Sequence, residues 1–334
     1  MSEFRVESTR DPLVESSYAV SAVVARPDGK VVAQSGDPNR VVVMRSSAKP
    51  FQALPMIMDG AADRFGVTEE ELALACASHN SERRQVEIVV RWLDRIGCRE
   101  EDLACGPHRP LFKDMAIRNP DDPVDPSPFL PDSPLSSNCS GKHTGMLSLA
   151  KHHDWTVEGY NRNGHPVQER CAEELARFAG VVPGDVGKAV DGCRAVTFGL
   201  PVRAMARAFA NLVTSDEEAP KAVVQAMTSH PELVGGKGRM CTAVMSAYSG
   251  SVLAKVGAEG VYGASLVDKG LGIALKVEDG NNWAAAAALV SILEQLGLNP
   301  LPSALLPQFA EHPVLNTRNE PVGTMRAVGE LEFI

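Results

Sequence analysis

Strand-forming segments at both ends of the chain bracket a long helical middle, and this order constrains the fold more than any other feature of the 334 residues. Residues 18–26 and 30–34 are rich in β-formers and flank Pro27-Asp28-Gly29, which reads as a hairpin. Val41-Val42-Val43-Met44 reads as a short buried strand. A helix is expected from near Ser46 or Ser47, with Pro50 tolerated in its first turn and Pro55 kinking or ending it. Thr68-Glu69-Glu70-Glu71 is a capping box for a helix to about Ala75. Further helical patterns cover 82–96, 142–151, 166–179, 201–213 and 219–229. The period then changes: 251–257, 260–267 and 271–277 read as three strands joined by tight turns, and Asp279-Gly280-Asn281 caps an Ala-rich helix to about Leu296. The implied class is α+β, an antiparallel sheet built from the N- and C-terminal segments with an inserted helical region. The boundaries are a sheet subdomain at about 1–45 and 250–334 and a helical subdomain at about 46–249, within a single unit spanning 1–334. The stretch 107–134 holds eight of the 23 prolines and reads as a long ordered loop.

Composition removes whole classes of function. A net charge of −9 with no basic run disfavours a nucleic-acid partner. Met1-Ser2-Glu3-Phe4-Arg5 carries no apolar export segment, and the longest apolar stretch, 283–293, is too short for a bilayer that needs about 20 residues. Seven cysteines, an odd number, argue for reduced thiols and a cytoplasmic setting. Aromatics are 5% of a chain that is 44% hydrophobic, so the core must be mostly aliphatic.

Three short motifs bear on chemistry. Ser46-Ser47-Ala48-Lys49 is an S-x-x-K pattern, which on a helix places the serine and the lysine on one face. A serine hydroxyl needs a base to become a nucleophile. A lysine serves as that base only when neutral, a change from a pKa of about 10.4 to near 7 that amounts to roughly 4–5 kcal/mol. Ser78-His79-Asn80 is an S-x-N pattern after a helix end, and Lys255-Val256-Gly257 resembles the K-[ST]-G of a sheet-edge strand. In this chain order the trio is the signature set of serine β-lactamases and penicillin-binding proteins. The plainer alternatives stand beside it: Ser46 as an N-cap, Ser78 and Asn80 as caps of the next helix, Lys255 as a solvated strand residue. There is no G-x-S-x-G elbow, so an α/β-hydrolase is not indicated.

A second cluster, Asn138-Cys139-Ser140-Gly141-Lys142-His143, opens a helix. Cys139 at a helix N-terminus is expected to have a lowered pKa, which makes it a second candidate nucleophile with His143 as base. Together with Cys193 it offers two soft metal ligands, although there is no C-x-x-C. The alternative is that both cysteines are small buried hydrophobes.

These blocks carry a family resemblance. Arg45-Ser46-Ser47-Ala48-Lys49-Pro50-Phe51-Gln52, Cys76-Ala77-Ser78-His79-Asn80, Cys139-Ser140-Gly141-Lys142-His143, Asp191-Gly192-Cys193 and Lys255-Val256-Gly257-Ala258-Glu259-Gly260 resemble the rhizobial-type (class 3) L-asparaginases, over essentially the whole chain. The resemblance implies a fold related to serine β-lactamases and glutaminases, and hydrolysis of L-asparagine through an acyl-enzyme. It implies Ser46 as nucleophile with Lys49 as its base, and Ser78 with Lys255 as a second Ser-Lys couple. It implies Zn2+ held by Cys139, Lys142 and Cys193, with Arg45, His143 and Asp191 lining the pocket, and a homodimer. Asn80 is added here as a substrate contact from its place in the S-x-N pattern. Arg194 stands where the family resemblance leads one to expect a small residue, often glycine. Rival readings are a glutaminase or a β-lactamase-like serine hydrolase, a thiol hydrolase using Cys139, and a non-catalytic zinc-dependent binding protein.

Overall fold

The computed structural model describes residues 4–108, 117 and 133–334, so most of the Pro-rich stretch 107–134 lies outside the described residues. The chain divides into two compact units. One comprises Met1–Ser47, Leu200–Thr214 and Ala243–Ile334, the other Ala48–Gly199 and Ser215–Thr242.

In the first unit, nine strands among the described residues form one antiparallel sheet. They are β1 (Arg5–Arg10), β2 (Leu13–Ala25), β3 (Val31–Ser35), β4 (Val252–Val256), β5 (Val261–Leu266), β6 (Leu271–Val277), β7 (Glu311–Leu315), β8 (Pro321–Val328) and β9 (Glu332–Phe333). The order is β7-β8-β1-β2-β6-β5-β4, with β3 on β2 and β9 on β3. The first half of β2 pairs with β1, and its second half is buried between β3 and β6. The hairpin at Pro27-Asp28-Gly29 is present, closed by Arg26 N–H to Lys30 O at 2.9 Å. Val41–Val43 is a strand, but not the buried one expected: Val41 is 68% exposed and Val43 45%, and only Val42 points inward.

The helix Val202–Thr214, expected within the helical region, belongs to the sheet unit. Its amphipathic pattern buries Met205, Ala206, Phe209 and Ala210. The sheet admits it only because two strand positions lack side chains. A Cβ on Gly272 would lie 1.9 Å from the Ala206 carbonyl oxygen, and one on Gly263 would lie 1.9 Å from the Phe209 ring. The Ala-rich helix Asn282–Gln295 starts as expected at Asn281, whose Oδ1 accepts from Trp283 N and Ala284 N at 2.9 and 3.0 Å.

The second unit is helical. Thr68 and Glu71 form the expected reciprocal capping box of Glu69–Ala75. The helix Lys49–Met58 does not end at Pro55 but runs through it. Eight consecutive residues of this helix, from Lys49 to Met56, are buried, and this packing outweighs the one backbone bond that proline removes. The helix Ser140–His152 meets Glu69–Ala75 through Gly141, where a Cβ would lie 2.3 Å from the Leu74 carbonyl oxygen. That close approach sets the start of one helix against the end of the other, and so brings 138–143 beside 77–81. Among the described residues no helix is long and apolar enough to cross a membrane.

Candidate active site

Within the sheet unit, Ser46 lies in the 3-10 turn Arg45–Ala48, which runs on into the helix beginning at Lys49. Arg45 just before it has φ 52°, a left-handed conformation that costs a non-glycine residue roughly 1–2 kcal/mol. The two adjacent serines differ. Ser47 is buried and its Oγ–H donates to Met44 O at 2.6 Å, whereas Ser46 is half-buried. The K-V-G edge of β4 passes close by: a Cβ on Gly257 would lie 2.7 Å from Met44 O, two residues before Ser46. Lys255 is fully buried on this strand and donates to Val256 O at 3.0 Å.

Within the helical unit, Lys49 is fully buried. Its Nζ donates to Ala77 O, to Ser78 Oγ at 3.1 Å and to Asn138 O at 3.4 Å. None of these three acceptors is Ser46. The sequence pattern paired Lys49 with Ser46; the bonds formed here are to Ser78 and its surroundings.

His79, flanked by the motif positions, is fully buried and braces this arrangement. Its Nδ1 accepts from Ser81 N at 3.1 Å, so its hydrogen sits on Nε2 and is donated to Ser140 Oγ at 2.9 Å. Burial, reinforced by the charges of Lys49 and Arg239, drives its pKa down to about 3. A histidine depressed in this way stays neutral in the fold while the unfolded chain takes up a proton below about pH 6.5. Stability therefore falls as pH drops through the window from about 6.5 to 3, by about 1.4 kcal/mol per unit. Urea unfolding at pH 6.5 and 5.0 should show about 2 kcal/mol lost to this group, and His79→Gln should remove most of that difference. An unchanged pH slope in the variant would exclude His79 as its source.

Asn80, named above as a substrate contact, is instead consumed by the fold. Its Nδ2 donates to Glu82 Oε1 and Lys237 O, both at 3.2 Å, and its Oδ1 accepts from Arg239 at 3.3 Å. It is 1% exposed and ties the loop 235–239 to the end of Glu69–Ala75.

The cysteine cluster does assemble. Lys142 Nζ lies 3.1 Å from Cys193 Sγ, and Cys139 hydrogen-bonds to Cys193. The Cys193 thiol is held far below its ordinary range by the hydrogen bond from Cys139, then by the charge on Lys142 and by His143, against the opposing effect of burial. Cys139 is pushed the other way, by the same bond and by burial. The direction at Cys139 is upward, opposite to the lowered pKa expected of a helix N-terminus. Burial works against the charge on Lys142, but Cys193, Cys139 and Asp191 together hold it protonated. His143 is fully buried and kept neutral by burial. Its Nδ1 meets Tyr160 Oη at 2.6 Å, while its Nε2 faces Cys193 at a geometry short of a full hydrogen bond.

Asp191 and Arg194 frame the turn that carries Cys193. Asp191 is half-buried and its Oδ1 accepts from Gly192 N at 2.7 Å. Arg194 is exposed with φ 69°, the conformation glycine adopts freely, and this accounts for the small residue expected there. Sequence reasoning missed Ser140, Tyr160 and Asn161, the last of which donates to Arg194 O at 2.8 Å. None of them stands in a spacing that signals a partner.

Two thiol sulfurs and an amine converging on one point suit a borderline-soft ion such as zinc. Among the described residues no three of His, Cys, Asp and Glu gather into a metal site, so the third donor here is Lys142, which binds only after losing a proton.

The family model described as L-asparaginase II matches residues 6–327. The chain belongs to the L-asparaginase II family. The sequence blocks quoted above point to the same family. No curated protein matches the chain. Among solved structures, this L-asparaginase II member is similar to Mglu in its native form, at 15% identity and a TM-score of 0.47, over 84% of this chain and 64% of that one. The chain thus spans just under two thirds of the length of Mglu. It is also similar to a β-lactamase from Mycobacterium bovis (16% identity, TM-score 0.42, 84% of this chain and 95% of that one). A third likeness is to the octameric penicillin-binding protein homologue from Pyrococcus abyssi (12% identity, TM-score 0.34, 84% and 74%).

Proposed function

We propose that the chain hydrolyses L-asparagine to L-aspartate and ammonia through an acyl-enzyme on Ser46. The observation that carries this reading is the placement of Lys49: fully buried, one turn after Ser46 along the same helical segment, with Nζ 3.1 Å from Ser78 Oγ. Deprotonated, Lys49 accepts the Ser46 proton as the oxygen attacks the side-chain amide carbon. The oxyanion is held by backbone N–H groups, in this reading those of Ser46 and Ala258. Ser78, coupled to Lys255, passes a proton to the departing ammonia, and water then cleaves the ester. Arg45 and Asp191 hold the substrate's α-carboxylate and α-amino group, and His143 supports the pocket from behind. Cys139, Lys142 and Cys193 would hold Zn2+, which when bound would supply a fixed positive charge beside the substrate. A homodimer in the cytoplasm completes the proposal.

A coupled ammonia assay on the purified protein with asparagine and with glutamine tests it. Ammonia from asparagine at a kcat/KM at least tenfold above that for glutamine is expected. The reverse preference would make the protein a glutaminase, and ammonia from neither would defeat the amidohydrolase mechanism on Ser46.

A further inference from the structure

Tyr160 belongs to no motif, yet its hydroxyl sits where it decides the state of His143. The side chain is 1% exposed. Its Oη accepts a hydrogen bond from the backbone N–H of Ala104 at 3.0 Å. The Ala104 N–H can only donate, so of these two partners His143 Nδ1, 2.6 Å away, is the one that can take the phenolic hydrogen. The phenol cannot act as an acceptor by ionising, because burial holds its pKa well above the usual range. An imidazole whose Nδ1 accepts must carry its hydrogen on Nε2. That N–H is the one that faces the Cys193 sulfur.

The surrounding segment is held as tightly as the ring. Gln168 Nε2 donates to the Tyr160 carbonyl at 2.9 Å. The next residue, Asn161, is 6% exposed and donates to Arg194 O, the backbone just past Cys193. Tyr160 and Asn161 therefore grip both partners, the imidazole on Ser140–His152 and the loop that carries the thiol. The edge-to-face packing of the two rings, with centroids 5.5 Å apart, keeps the imidazole from turning over.

We infer that Tyr160 is a positioning residue of the amidohydrolase site: its hydroxyl locks His143 in the Nε2–H tautomer, so that a hydrogen-bond donor and not a lone pair faces the Cys193 sulfur. The catalytic part of this inference rests on the asparaginase reading; the tautomer itself does not.

The test is 15N NMR of the full-length, 15N-His-labelled protein at neutral pH, with the His143 signals assigned by their loss in His143→Gln. In the unaltered protein, His143 Nε2 should resonate as protonated and Nδ1 as unprotonated; the opposite pattern overturns the inference without any further variant. In Tyr160→Phe the tautomer should shift or become mixed, and kcat/KM for asparagine should fall by about tenfold or more, the size typical for a residue that orients a ligand or catalytic group. An unchanged tautomer in a folded Tyr160→Phe refutes the lock. A shifted tautomer with full activity refutes the positioning role. A shifted tautomer, with no ammonia released by either protein, leaves the lock standing and rejects the asparaginase reading instead.

Discussion

Ser46→Ala is expected to lower ammonia release from asparagine by about 10⁴-fold or more, with a thermal midpoint within a degree or two of the original. The argument for so large an effect with so little structural cost lies in the contrast between the two adjacent serines. Ser47 is fully buried and spends its hydroxyl on Met44 O at 2.6 Å, which makes it part of the fold. Ser46 is half-buried, follows a residue in the left-handed region, and opens the turn that leads into Lys49. Losing its hydroxyl removes the proposed nucleophile and leaves the turn intact. Ser47→Ala should do the opposite, costing about 1 kcal/mol of stability for the lost hydrogen bond while most of the activity stays. Steady-state kinetics and thermal melts on both variants separate the cases. A tenth of the original kcat surviving in Ser46→Ala would end the serine mechanism and send attention to the cysteine cluster. In that cluster Lys142 Nζ lies 3.1 Å from Cys193 Sγ.

Gly272→Ala is expected to cost about 3 kcal/mol, at the upper end of what overpacking usually does, or to prevent folding of the sheet unit. The added methyl would lie 1.9 Å from Ala206 O and 2.3 Å from Ala210 N, both backbone atoms of Val202–Thr214. A side chain could swing away; a helix backbone seated on the sheet must move as a whole. Gly263→Ala meets the Phe209 ring and not backbone, so its cost should be smaller. A methyl added at Gly184 would meet nothing within 4 Å, and the residue has no left-handed φ, so Gly184→Ala should change stability by less than about 0.5 kcal/mol. Urea midpoints of the three variants check the ranking. A Gly272→Ala protein as stable as Gly184→Ala would mean that helix and sheet do not meet as closely as described.

Much of the fold is legible along the chain because it is encoded locally. The capping box at Thr68 and Glu71, the Asn281 cap and the Pro27-Asp28-Gly29 hairpin each depend on residues within four positions of one another. The strands at 5–16 and 311–333 escaped notice because burial there does not follow polarity: Ser8 is buried, whereas Leu13, Val14, Leu315 and Phe333 are exposed. Pro55 misled for a related reason. Proline's local penalty is visible in sequence, whereas the burial that overrides it is not.

The functional site divides along the same line. Lysines, serines and cysteines at telling intervals, and with them the family, could be read directly from the residue order, since helical spacing and motif chemistry are properties of neighbours. Which partner each group meets could not. Lys49 reaches Ser78 across 29 residues and Lys142 reaches Cys193 across 51, and Asn80 is claimed by Lys237 and Arg239, which lie more than 150 positions away. Hydrogen-bond energy depends on separations of a few tenths of an ångström, and these are set by how Gly141 lets two helices touch. Packing therefore gave Asn80 its bonds to Lys237 and Arg239, and set the Tyr160 hydroxyl against His143.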